Sequence, residues 1–183
     1  MSAAELLSFI RKNKYQLDLD MQNKINPIIN ELALELYQSH IIEDRPLIHY
    51  LVKQQIEALK KSWGVPCTLK ACTIMLFKLG HVEDSILLWK AKTCNPDTLF
   101  SIDIQLLLGA GAKETIAFLK KNTEVKSLTK IIKEDGDGTK KEYSILDWID
   151  SCRKGGELEN IDSHVENLID RFESDCEDFF QPN

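Results

Sequence analysis

Apolar residues recur at helical spacing along almost the whole of this 183-residue chain. Leu6, Leu7 and Ile10 follow the pair Ser2 and Glu5, whose spacing is that of a capping box, and their run stops at Asn13. A second stripe, Leu17, Met21, Ile25, Ile28/Ile29, Leu32 and Leu36, is interrupted at Asn26-Pro27. An N-cap followed by a first-turn proline splits that stripe into two abutting helices. Asp44 and Pro46 open a further helix. Ile48, Val52, Ile56, Leu59 and Trp63 line its inner face, and Gly64 closes it.

Beyond Pro66 the pattern thickens. "CTLKACTIMLFKLG" is apolar nearly all round, which predicts a central, buried helix ending at Gly80, and "HVEDSILLWKAK" follows at once. Asn95-Pro96-Asp97 starts the next segment. Residues 101–108 are ambiguous, since Ile102, Ile104, Leu106 and Leu108 alternate as in a strand but also suit a buried helix. "KIIKEDGDGTKKEYSI" suits either a β-hairpin turning at Asp135-Gly136-Asp137-Gly138 or two helices joined by a polar loop. Helices on both sides favour the loop. In the last segment Ile161, Val165, Leu168, Phe172 and Cys176 form one apolar stripe with most acids opposite. The pattern predicts a single all-α domain over residues 1–183, with about nine or ten helices in antiparallel pairs.

"LFKLGHVEDSILLWKAKT" and "QLLLGAGAKETIAFLKKNT" are similar to one another. Gly80 matches Gly109, and one inserted residue brings Ile86 onto Ile116, Lys90 onto Lys120 and Thr93 onto Thr123. A spacing of roughly 30 residues suits stacked helix hairpins, so residues 67–122 are expected to be solenoid-like. The first copy resembles the second half of a tetratricopeptide unit, with Gly80 at the corner, Ser85 as the small residue facing its partner, and Trp89 as the bulky anchor. The resemblance covers residues 69–122 and implies a groove that clamps a peptide. Lys92 stands where the later small residue of that family is expected, and Pro96 comes one position early.

Charge changes this picture at one end of the chain. The net charge is -6, but from Asp147 to Asn183 eleven acids face three bases, so this stretch alone carries -8 and the rest +2. An acidic C-terminal segment repels phosphate backbones and attracts a basic protein partner, so a protein and not a nucleic acid is the expected ligand. Asp162, Glu166, Asp170, Glu173 and Glu177 are the candidate partner-binding residues. No apolar run reaches the roughly 18 residues that span a bilayer, and "MSAAELLSFIRKNK" lacks the layout of a secretory signal. A cytoplasmic location is expected, with Cys67, Cys72, Cys94, Cys152 and Cys176 as reduced thiols rather than a disulfide framework.

Motifs that could carry chemistry are incomplete. Gly109-Ala110-Gly111 before "AKETIAFLKKN" has the look of a phosphate cradle, with Glu134 or Asp135 placed for a ribose hydroxyl. However, Glu114 occupies the third glycine position, no Gly-Lys-Ser/Thr follows, and too few strands are available for a parallel sheet. "DGDGTKKEY" fails as a calcium loop because Lys140 stands where glycine is needed and Leu146 where a bidentate Glu is needed. Cys67, Cys72, His81 and Cys94 make a poor zinc set, and Cys94, His81 and Asp84 an unsupported thiol–imidazole–carboxylate triad. Trp63, Trp89 and Trp148 sit in apolar stripes and read as core. The lysines from Lys113 to Lys141 are interleaved with acids and make a weak nucleic-acid signal.

The expected function is therefore a non-catalytic protein-interaction module without cofactor or metal. In class and charge it is similar to immunity proteins that neutralise a basic toxin, and to adaptors. The alternatives are a nucleotide-binding protein or small enzyme centred on Gly109–Lys113, and a secreted bacterial effector.

Overall fold

The computed structural model describes residues 1–134 and 138–180, and its architecture is mostly helical, with about ten helices and one two-stranded sheet among those residues. Helix α1 (Ala3–Lys12) starts at the expected capping box: the Ser2 hydroxyl accepts from the Glu5 backbone N–H, and the Glu5 carboxylate accepts from the Ser2 N–H. Its apolar stripe, Leu6, Leu7 and Ile10, is fully buried. The next stripe divides as its proline predicts, into α2 (Leu19–Ile25) and α3 (Ile29–Ser39), with a 3-10 turn at Asn26–Ile28 between them. Asn26 does not cap α3; its side-chain oxygen accepts a hydrogen bond from the Tyr50 hydroxyl instead.

Helices α4 (Arg45–Leu59), α5 (Cys67–Leu79) and α6 (Asp84–Lys92) form the centre, with α4 packed on both of the others and α3 on α5. Every residue from Thr68 to Leu76 in α5 except Lys70 is buried, as the all-round apolar pattern predicts. Gly80 ends α5 in the left-handed conformation, φ 69°, that makes glycine the favoured C-terminal residue. Trp89 on α6 is the largest fully buried side chain, and its indole N–H donates to the Thr129 carbonyl. Trp63 departs from expectation. Helix α4 stops at Leu59, so Trp63 lies beyond the inner stripe and is 78% exposed, and Gly64 belongs to the following connection, its N–H held by Asp97.

After α7 (Pro96–Ser101), capped by Asn95, residues 104–108 form a buried 3-10 helix and not a strand. This segment packs on α5 and α6 and leads through Gly109–Gly111 into α8 (Ala112–Lys121). The repeat matches Gly80 to Gly109, but the two corners differ, left-handed at Gly80 (φ 69°) and right-handed at Gly109 (φ -57°). Its second copy has a five-residue 3-10 arm where the first has α5, so the solenoid-like stacking is not continued. Gly80 and Gly109, matched by the repeat, are neighbours in space: a Cβ on Gly80 would lie 3.4 Å from the Gly109 carbonyl oxygen.

The favoured loop reading of residues 130–145 is corrected. Strands β1 (Ile131–Glu134) and β2 (Lys140–Tyr143) pair antiparallel, with Ile131 opposite Tyr143 and Glu134 opposite Lys140. Only Ile131 is buried. Residues 135–137, which carry the proposed turn, most of the calcium-loop reading and the ribose acid Asp135, lie outside the described residues. Helices α9 (Ile145–Lys154) and α10 (Ile161–Asp175) and the short α11 (Glu177–Phe180) complete the described residues. Helix α10 docks on α5 and the 3-10 segment through Val165, Leu168 and Phe172, while α11 packs on α3.

Candidate functional site

Asp162, Glu166, Asp170, Glu173 and Glu177 are separated by four, four, three and four residues, so they follow one face of α10 and its extension, and all five are exposed. The structure brings them onto one stripe. Among the described residues none of the five carboxylates is in an ion pair; Glu173 alone has a side-chain partner, accepting from the Tyr37 hydroxyl at 3.1 Å. This arrangement opposes local helix energetics. Like charges at i,i+4 and i,i+3 repel, and Glu173 and Asp175 stand in a last turn that has no basic residue, at the negative end of the helix dipole.

Other contacts offset that cost. The stripe Val165, Leu168 and Phe172 anchors the opposite face. Phe172 also sits in an aromatic group with Tyr37 and Phe180, with ring centroids 5.4 to 5.6 Å apart in edge-on contacts. A disulfide joins Cys176, just past α10, to Cys67 at the start of α5, across 109 residues. Two of the five cysteines are therefore not the reduced thiols expected. Cys72, Cys94 and Cys152 are free thiols. Complete burial pushes the Cys72 thiol up to about 12, and burial with the Glu157 carboxylate nearby pushes Cys152 up to about 11.

The Gly109–Gly111 corner has an architectural reason for its glycines. A Cβ on Gly109 would come within 2.3 Å of the Phe77 carbonyl oxygen, and 2.9 Å of its Cα, so only glycine lets this turn lie against α5. Gly111 has φ 94° and precedes α8. The Glu114 carboxylate folds back to within 2.7 Å of a Cβ placed there, which puts a negative charge at the start of the helix that would cradle a phosphate. The parallel sheet of a dinucleotide fold is absent among the described residues, whose two strands are antiparallel. Thr115 and Leu119 are the buried residues of α8, and Ala117 is exposed.

The remaining motif candidates are not assembled. Cys67 is tied to Cys176, and no group of three or more His, Cys, Asp or Glu among the described residues is arranged to hold a metal ion. Asp84 accepts from His49 and Arg45, and the Cys94 sulfur contacts the Thr98 hydroxyl at 3.5 Å. Cys94, His81 and Asp84 therefore do not form a relay.

Two features escape a reading of periodicity. Asp44 and Asp84 are buried carboxylates, each gripped by an arginine through Nε and Nη2. Arg11, with the Tyr15 hydroxyl and the Ile41 N–H, holds Asp44, while Arg45 and His49 hold Asp84. Burial alone would raise both carboxyls, but these donors outweigh it and hold them below the usual carboxylate range. The second feature is Lys92. It is 4% exposed, its ammonium donates to the Leu99 and Ile102 carbonyls, and burial pushes its pKa down to about 8 against the opposing pull of Asp103. The one sequence signal for it was its misfit to the tetratricopeptide pattern, where a small residue was expected.

No protein-family model, curated protein or solved structure matches this chain. No helix among the described residues is long and apolar enough to cross a membrane.

Proposed function

We propose that this protein is a non-catalytic interaction module that binds a basic protein partner through the acidic face of α10. The observation that supports this reading is the exposed stripe Asp162, Glu166, Asp170, Glu173 and Glu177, none of it in an ion pair among the described residues, on a helix fixed at its C-terminal end by a disulfide and an aromatic group. A chain departs from favourable local electrostatics where function requires it, and a fixed array of carboxylates steers a cationic surface into register. Preorganisation lowers the ordering cost of association, because the helix is already held before the partner arrives. An immunity protein against a basic toxin, or an adaptor, is the specific role that this class and charge suit.

The test is zero-length carbodiimide coupling, which joins carboxylates to lysines in contact. With a partner recovered from the source cell and purified, cross-links are expected at these five carboxylates. Cross-links confined to other faces would count against the assignment.

A further inference from the structure

The acidic stripe runs into a recess with aromatic walls. Tyr37 and Gln38 from the last turn of α3, Glu173 from the last turn of α10, and Glu177 and Phe180 from α11 line an open space of about 510 Å³. Two of these five residues are carboxylates and none is a base. Neither carboxylate is in an ion pair among the described residues, and the one side-chain donor to Glu173 there is the neutral Tyr37 hydroxyl. Burial, with Glu173 beside it, holds the Tyr37 phenol well above its ordinary value, so it stays a neutral donor and leaves the charge uncompensated.

Two helix ends add to that charge. Helices α3 and α10, of 11 and 15 residues, both finish at the recess, and neither has a basic residue in its last turn. The negative ends of both dipoles therefore point to a cation that their own sequences do not supply. The walls add a third attraction. Tyr37 and Phe180 meet edge-on with centroids 5.6 Å apart, and Phe172 contacts both edge-on, which fixes the rings. Ring faces attract cations, and the Lys78 ammonium already stands 5.5 Å from the Tyr37 centroid. Lys78 does not line the recess, and with its charge counted against Glu173 and Glu177 the group is still negative.

We propose that this recess is the anchor point for one arginine side chain of the basic partner, its guanidinium lying against Tyr37 and Phe180 and donating to Glu173 and Glu177. That the arginine belongs to a protein rests on the reading of the α10 face above. Arginine fits better than lysine because a planar guanidinium stacks on a ring and still presents a fork of N–H donors to carboxylates. A quaternary ammonium would meet the rings but has no N–H to give the carboxylates.

Amide chemical-shift titration of the full chain with the blocked tripeptide acetyl-Gly-Arg-Gly-amide tests the assignment. Saturable shifts are expected at Gln38, Glu173, Glu177 and Phe180, with binding roughly fivefold or more tighter than for the lysine or the neutral citrulline counterpart. Glu177→Gln and Phe180→Leu keep the size of each side chain and remove its charge or its ring. Each is expected to weaken the arginine peptide by roughly threefold or more while leaving the unfolding midpoint unchanged. The probe requires no partner protein, so its failure leaves the α10 face standing, and a partner that docks on another face leaves the peptide result standing. Absence of saturable shifts at the recess, a lysine or citrulline peptide that binds as tightly, or binding that both variants leave intact would overturn the proposal.

Discussion

At the scale of single residues, the most informative side chains are those that a hydrophobic pattern misplaces. Trp63 continues the α4 stripe on paper, but the helix has already ended, so its indole stands in solvent. Gly109 appeared to be a phosphate-loop glycine and is instead a contact point between two backbones. Gly109→Ala is therefore expected to cost about 2 kcal/mol or more, the range of overpacking and backbone displacement, whereas Trp63→Ala stays within about 0.5 kcal/mol; urea denaturation measures both. Lys92 makes a pH-dependent prediction. Because its folded-state pKa is lowered to about 8 from an ordinary 10.5, the unfolded chain binds more protons between those values, and stability rises with pH across that window. Lys92→Met removes this gain and leaves two carbonyls without their donor. The stability gap between the parent and Lys92→Met is expected to widen by on the order of 2 kcal/mol from pH 8 to pH 10.5. A constant gap would contradict the burial of a protonated lysine.

At the scale of elements, capped amphipathic helices were legible and the rest was less so. Ser2 with Glu5, Asn95 with Pro96, and Gly80 all mark helix boundaries that the structure reproduces, because each acts within a few residues of itself. The β-hairpin is one of two readings that the sequence allows and not the favoured one, since "IIKE" and "KKEY" bury only Ile131 and lack an alternating face. Its support lies in single side-chain pairs that periodicity does not register: Lys130 pairs with Glu142, and Tyr143 packs edge-on against Trp148. The disulfide was illegible for another reason. Cys67 and Cys176 are 109 residues apart, and the pairing depends on α10 returning to α5. That bond carries a prediction for the acidic helix. Cys176→Ser is expected to lower stability by about 2–4 kcal/mol and to speed amide exchange in α10 and α11 before the rest of the fold. Uniform loss of protection throughout the chain would show that the bond does not act on this element in particular.

At the scale of the molecule, the chain combines a nearly neutral helical body with one strongly negative end, and that asymmetry was visible in composition alone. Composition did not show that the five acids share one face; the spacing of α10 supplies that, and its docking stripe turns them outward. Nor did it show the buried carboxylates Asp44 and Asp84, since their arginine partners come from 33 and 39 residues away. The central claim is that the α10 face recognises a cationic protein surface, and association kinetics test it most directly. With the purified partner, Asp170→Lys, Glu173→Lys and Glu177→Lys combined are expected to slow association by roughly tenfold or more at low salt and to flatten its dependence on ionic strength. An association rate and salt dependence equal to those of the parent protein would contradict the account.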